Sequence, residues 1–443
     1  MGPAGDMSKP TRASEEASSW TEARAESQLR SLELFGMRFG LDRMRRMMTA
    51  LGSPERRFQT VHVLGTNGKS STTRMAAAIL QRHGLRTGAY LSPHLVSYRE
   101  RVLVDGREID ADAFAAAVAR ATWAAERVNR TLAEDDHVTQ FELLTAAAFW
   151  HLAEQGVDVA VVEAGLGGRY DATSVIDSPV TVLTNVGLEH TRWLGPTITD
   201  IAEEKLTVLQ DGGTLVLGDA LAAAALEVAE RIAAERGARL VHPRPLPAAA
   251  RVLARGAFQR QNFALAAAAA GEHLTAASVA LREDAVLEAA ASTEVPGRLQ
   301  VLAGDPVTVI DGAHNPDAVR ALAQSLPEVF GGAPLALVLG VLEDKDAVSM
   351  LATLMPLCRR AWFTAPPSSR ALSPSALQSL ARQLGFEDVV SEPRPEIALE
   401  QARAWALGND GGVLATGSVY LVGDLLRGLE PGSADEREWS SAR

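Results

Sequence analysis

Val61–Leu80 reads VHVLGTNGKSSTTRMAAAIL, and the order of its parts decides the fold. Val61–Leu64 is a short apolar run of strand character. Gly65, Thr66, Asn67 and Gly68 follow as a loop. From Lys69 and Ser70 onward the apolar positions Met75, Ile79 and Leu80 recur at helical spacing, and Gly84 supplies a stop. In a strand–loop–helix of this kind the glycines let backbone N–H groups approach phosphate oxygens. The helix N-terminus adds its dipole and Lys69 adds a full charge. The long Walker pattern would place Gly at Val63, so only the short G-x-x-G-K-S form is met. Such a short pattern occurs by chance, but the flanking strand and helix favour a nucleotide site over a structural turn.

Working outward, further short runs rich in β-branched residues or Leu occur at Val159–Glu163, Val180–Asn185, Thr214–Leu217, Val307–Asp311, Leu335–Val341, Ala361–Thr364 and Val413–Thr416. They read as strands covered on both faces, and the alanine-rich stretches between them read as helices. The pattern predicts an α/β protein with largely parallel sheets. Thr293–Arg298 (TEVPGR) is the best boundary, because Pro296-Gly297 breaks a helix before a new run of strands. The expected division is a large domain over 26–296 and a smaller one over 297–430. Residues 1–25 and 431–443, rich in Ser, Ala, Glu and Pro, are expected to be disordered.

Composition narrows the function. The chain has 443 residues, 47% hydrophobic and 22% charged, which suits two or three domains of roughly 150 residues each. A formal net charge of −12 argues against nonspecific nucleic-acid binding, so an anionic ligand must be met by local devices. The single cysteine, Cys358, excludes an intramolecular disulfide and a cysteine-based metal site. No uninterrupted apolar stretch reaches about 18 residues, and the polar N-terminus lacks a signal-peptide core. The expectation is a cytoplasmic protein with no membrane partner.

Three polar residues stand out beside the loop. Glu163 ends the apolar run VAVVE, where a carboxylate near a phosphate loop can bind magnesium, although by itself it reads more often as a helix N-cap or a loop salt bridge. His190 follows a second strand in TNVGLEH; a lone His is more often packed than a ligand. Lys205, in AEEK, reads by itself as a solvated helix lysine paired with Glu203 or Glu204.

Taken together, GTNGK, YLSPHLVSYRERVLVDGREI, TQFELLTAAAF, VVEAGLGGRYDAT, TNVGLEHTRWLG, EEK, PGRL, DGAHNP, LGVLEDKD and TGSVYLVGD resemble the folylpolyglutamate synthase/dihydrofolate synthase family of Mur-ligase-type amide ligases. The matches run in order from about Arg30 to Asp424. The resemblance implies a P-loop ATPase domain joined to a smaller C-terminal Rossmann-like domain, with catalysis between them. The implied reaction joins L-glutamate to dihydropteroate or a reduced folate. ATP phosphorylates the acceptor carboxylate, and the glutamate amine displaces phosphate.

The same resemblance implies site residues. Gly65, Thr66, Asn67, Gly68, Lys69, Ser70 and Ser71 would hold ATP, with Asn262, Arg298, Asp311 and His314 reached from further along the chain. Ser92 and Glu163 would hold a first magnesium ion and His190 a second. Lys205 would be carried as a carbamate, which requires that it first lose its proton. Thr139, Gln140, Phe141, Glu142, Tyr170, Asp171 and Ala172 would face dihydropteroate, although Phe141 suits a core equally well. Asp344, Lys345 and Asp346 would lie toward the amino-acid side. The family is often monomeric. Departures are Ser70 for a usual Gly, Phe258 for a usual His, Leu206-Thr207 for Ala-Gly, and a short segment from Gly218 to Gly256. Two other readings stay open: a paralogue joining an amino acid to a different carboxylate, and a noncatalytic nucleotide-binding protein.

Overall fold

The computed structural model describes residues 20–32, 40–219 and 221–429. Fourteen strands among them form two sheets. The first holds β1 (Gln59–Leu64), β2 (Thr87–Tyr90), β3 (Val102–Val104), β4 (Arg107–Glu108), β5 (Val159–Glu163), β6 (Val180–Leu183), β7 (Thr214–Leu217) and β8 (Arg239–Val241), in the order β4-β3-β2-β5-β1-β6-β7-β8. Six of these run parallel, and β3 and β4 join antiparallel at one edge. The second holds β9 (Gln300–Leu302), β10 (Thr308–Ile310), β11 (Leu335–Leu339), β12 (Arg360–Phe363), β13 (Val389–Ser391) and β14 (Gly412–Thr416), in the order β13-β12-β11-β14-β10-β9. Only β9 is antiparallel there.

The expected α/β class with largely parallel sheets is what the chain adopts. β1, β5, β6, β7, β11 and β14 are buried along nearly their whole length, because helices cover both faces, and this is why they read as continuous apolar runs. The strands missed in the sequence are short or peripheral. β3 and β4 are joined through Asp105 (φ +50) and Gly106 (φ +76), an Asp-Gly hairpin turn whose positive φ angles those two residues tolerate.

One expectation needs correction. Residues 20–25 are not wholly disordered: a helix spans Glu22–Ser31, capped by Thr21, whose hydroxyl accepts from Arg24 N at 3.3 Å. Ala25 and Leu29, four residues apart, are fully buried in the first core. Two apolar side chains on one helical face suffice to dock the segment, and Ser/Glu-rich composition hides them. Residues 1–19 and 431–443 lie outside the described residues. Between Gly218 and Gly256 the chain forms a helix, Ala223–Glu235, and the edge strand β8. No helix of the described residues is long and apolar enough to cross a membrane.

Candidate active site

β1 lies between β5 and β6, so the C-terminal ends of three parallel strands open at one point. The loop Gly65–Gly68 leaves β1 there and enters the helix Lys69–Arg82. Glycine is required at two positions. A Cβ at Gly65 (φ +140) would sit 1.9 Å from Thr184 Oγ1, and one at Gly68 (φ +82) would sit 2.5 Å from Asn262 Oδ1. The loop is held from β6: Asn185 Oδ1 accepts from Asn67 N at 2.8 Å, and Thr184 Oγ1 donates to Asn67 O at 2.6 Å. Lys69 Nζ folds back to donate to Gly65 O (3.1 Å) and Thr66 O (3.0 Å).

Glu163, only 1% exposed, ends β5 beside this loop. Ser70 Oγ donates to its Oε1 at 2.9 Å and Ser92 N to its Oε2 at 3.0 Å. Burial pushes the Glu163 carboxyl up, while the Lys69 ammonium and these two hydrogen bonds pull the other way. Among the described residues no group of three or more His, Cys, Asp or Glu is placed to hold a metal. Magnesium, however, needs only one or two carboxylates when phosphate oxygens and water complete its shell. The buried Glu163 carboxylate, with the half-buried serines Ser70 and Ser92 lining the same cleft, offers oxygen ligands that fit that hard cation.

Lys205 reaches the same loop from the other side. It is buried, and its Nζ donates to Gly65 O (3.1 Å) and Leu166 O (2.6 Å). The bland alternative, a solvated lysine paired with a neighbouring glutamate, is not what forms: Glu203 pairs with Arg231 and Glu204 with Arg169. Burial first, then the nearby Lys69 charge, pushes the Lys205 amine down to about 7. His190 has φ +54 and lines the cleft. Burial lowers its imidazole to about 4, against the pull of Glu189, so the ring is neutral at pH 7.

The second sheet supplies the opposite wall. Arg298, Asp311 and His314 face the loop across a cleft of about 540 Å³, which Asn262 also lines. The Asp311 carboxylate is tied to its own turn, accepting from Leu299 N and Ala313 N at 2.7 Å each. Burial raises its carboxyl and Arg298 opposes that. Glu189 bridges the walls, 2.8 Å from Lys345 Nζ and 3.2 Å from His314 Nε2. Burial alone would raise the Glu189 carboxyl. The hydrogen bond and charge of His314, with the Lys345 ammonium, outweigh burial and hold it well below the usual carboxylate range.

Residues 63–235 match the Mur ligase middle domain, and 297–419 match the Mur ligase glutamate ligase domain. The folylpolyglutamate synthase of Lacticaseibacillus casei is 32% identical over 88% of this chain and 95% of its own. The chain belongs to the folylpolyglutamate synthase/dihydrofolate synthase family. A probable bifunctional folylpolyglutamate synthase/dihydropteroate synthase of Haloferax volcanii is 35% identical over 89% of this chain, which spans only 49% of that longer relative. The Mycobacterium tuberculosis folylpolyglutamate synthase complexed with ADP superposes with a TM-score of 0.84 at 31% identity, covering 93% of this chain and 100% of that one. The Yersinia pestis bifunctional enzyme complexed with AMPPNP and Mn ion gives 0.79 at 27% identity, covering 95% and 100%.

In this member of the folylpolyglutamate synthase/dihydrofolate synthase family, Thr66–Ser71, Ser92, Glu163, His190, Asn262, Arg298, Asp311 and His314 line one cleft, with Gly65 and Lys205 behind it. The residues expected at the dihydropteroate site do not themselves line this cleft. Thr139 and Glu142 form a capping box for the helix Gln140–Glu154, and Glu142 also takes Arg43 Nε at 3.1 Å on both oxygens. Gln140 Nε2 donates to Leu29 O (3.1 Å) and Tyr98 Oη (3.2 Å). The Phe141 ring packs against Gly165, itself a lining residue, so it sits directly behind the cleft wall. Asp171 holds the loop Leu166–Gly167 through two backbone N–H groups at 2.8 Å. Ala172 is buried and Tyr170 is 45% exposed. Sequence reasoning missed Thr184, Asn185, Glu189 and Asn315. The first three follow the end of β6, where polar residues after an apolar run are a usable signal. Asn315 before Pro316 reads as a helix N-cap.

Proposed function

We propose that this chain is an ATP-dependent ligase that joins L-glutamate to dihydropteroate or to a reduced folate. The observation that carries the reading is the meeting of the phosphate loop and Glu163 with Arg298 and His314 across one cleft. Both named relatives and both solved neighbours carry folylpolyglutamate synthase in their names, and the neighbours hold ADP or AMPPNP with manganese.

The loop N–H groups, the helix N-terminus and Lys69 fix the β- and γ-phosphates, and Arg298 neutralises charge from the far wall. An oxygen of the acceptor carboxylate attacks the γ-phosphorus. That O–P bond forms as the bond to the β-bridging oxygen breaks, and ADP departs. The glutamate nitrogen then attacks the acyl carbon, phosphate leaves with the acyl oxygen's electron pair, and the amine proton passes to solvent. Glu163, Ser70 and Ser92 would hold a divalent ion, and His190 a second. Magnesium supplies charge neutralisation on the phosphate oxygens when bound. Lys205, with its lowered pKa, is read as the site of a carbamate: the neutral amine adds to carbon dioxide and releases one proton. Phe141, behind the cleft wall, and the exposed Tyr170 are read as the contacts for the pterin. One chain carries both walls, so a monomer suffices, and the demand for ATP is met in the cytoplasm.

The test is ADP release by the purified protein with ATP, magnesium and each acceptor, with and without L-glutamate. Glutamate-dependent release with either acceptor supports the reading. ATP binding without any turnover would favour the noncatalytic alternative.

A further inference from the structure

His62 interrupts the apolar strand β1 between Val61 and Val63, and it is buried. An unpaired imidazole there would be costly. Its Nε2 lies 2.9 Å from Thr173 Oγ1, in the turn Ala172–Val175. The direction of that hydrogen bond follows from the next one. Thr173 Oγ1 donates its only proton to Asp171 Oδ1 at 2.6 Å. The Asp171 carboxylate also accepts from Thr173 N at 2.9 Å and from Leu166 N and Gly167 N at 2.8 Å each, so it has only acceptors to offer. The hydroxyl must therefore receive its other bond, and His62 carries its proton on Nε2. Burial pushes the imidazole down to about 4, against the pull of Asp171, so the ring is neutral at pH 7 and has that one N–H.

The chain of contacts continues beyond the turn. Asp171 fixes Leu166 and Gly167, and Leu166 O accepts from Lys205 Nζ at 2.6 Å. Three buried side chains, His62, Thr173 and Asp171, thus link the middle of the central strand to a backbone oxygen that grips Lys205. Without the imidazole N–H the hydroxyl loses its second partner, and its rotation away from Asp171 is no longer opposed. The phosphate loop is held separately, from β6 by Thr184 and Asn185.

We propose that His62 is a positioning residue for the ligation: through Thr173 and Asp171 it sets the turn Leu166–Gly167 and so fixes the Lys205 amine beside the phosphate loop. This rests on the ligase reading above.

The experiment uses the full chain and its His62→Leu, His62→Gln, Thr173→Val and Thr173→Ser variants. The melting temperature and binding of an ATP analogue check folding. His62→Gln places an amide N–H close to the position of imidazole Nε2, and Thr173→Ser keeps the hydroxyl. His62→Leu and Thr173→Val should lower kcat for glutamate-dependent ADP release about tenfold to a hundredfold, as for a displaced site group, with the KM for ATP near wild type. His62→Gln and Thr173→Ser should recover most of the rate. His62→Leu combined with Thr173→Val should be no slower than Thr173→Val alone, because the imidazole acts only through the hydroxyl. Reductive methylation with formaldehyde and borohydride, read by mass analysis, follows the amine without turnover: Lys205 should react faster in the two apolar variants, and Lys69 at its wild-type rate. An unchanged kcat in both apolar variants, His62→Gln as slow as His62→Leu, costs that add in the double variant, or unchanged Lys205 labelling overturns the assignment while the ligase reading stands. Wild-type protein with no glutamate-dependent turnover overturns both.

Discussion

Asn67 in the phosphate loop and Asn315 of the second sheet's layer exchange side-chain amides across the cleft. Asn315 Nδ2 donates to Asn67 Oδ1 at 2.9 Å, and Asn67 Nδ2 donates to Asn315 Oδ1 at 3.2 Å. Asn315 Oδ1 also caps the helix Pro316–Phe330, accepting from Ala318 N at 2.9 Å. One residue thus caps the start of a helix and ties two walls of the site together.

Asn315→Asp keeps the cap acceptor and removes the donor to Asn67. The expected result is a melting temperature near wild type with a raised KM for ATP. Asn315→Ala loses the cap as well and costs about 1 kcal/mol more. Thermal unfolding and steady-state kinetics on both variants separate the two roles; an Asp variant with wild-type ATP kinetics would remove the cleft-setting role.

Glu163 offers a second test. Glu163→Gln keeps its volume and one acceptor oxygen but not its charge, so folding should survive while ADP release falls by roughly 100-fold or more. Glu163→Lys, which puts a cation beside Lys69, should abolish turnover. Unchanged activity in either variant would withdraw Glu163 from metal and phosphate handling.

Lys205 ties stability to pH. Its amine is lowered from 10.5 to about 7 in the fold, so between those values the unfolded chain binds more protons than the native one. Stability gained from this group therefore rises with pH across that window and is lost as pH falls toward 7. Against Lys205→Met, which carries no titrating group, the wild-type protein should gain up to about 1.4 kcal/mol per pH unit from pH 7 to 9. Urea unfolding in buffer stripped of carbon dioxide measures this. A pH-independent difference would show that the amine titrates normally.

Gly68→Ala places a Cβ 2.5 Å from Asn262 Oδ1 on a backbone at φ +82. Backbone strain of about 1–2 kcal/mol is expected, with weaker ATP binding because the loop must shift. Calorimetric titration with an ATP analogue checks it, and wild-type affinity would show that the loop has slack.

The readable part of the site was the contiguous part. Gly65–Ser71 announces itself within one strand–loop–helix, and Glu163 and His190 each follow an apolar run. What stayed hidden depends on contacts far apart in the chain. Asn67 and Asn315 are 248 residues apart, and Glu142 meets Arg43 across 99. Nothing local to TQFE reveals that its Glu is bound to an arginine on another helix. Lys205 looks solvated in AEEK because neighbouring acids suggest pairs. Its burial follows from Leu166 and Gly65 closing over it. The docked helix Glu22–Ser31 was masked by polar composition around two apolar residues.

The most direct test of the account is mass analysis of the acceptor after incubation of the purified protein with ATP, magnesium and L-glutamate, using 7,8-dihydropteroate in one reaction and tetrahydrofolate in another. The expected product is an acceptor heavier by one glutamyl residue, formed one-for-one with ADP, from at least one of the two. Folded protein that leaves both acceptors unchanged would contradict it.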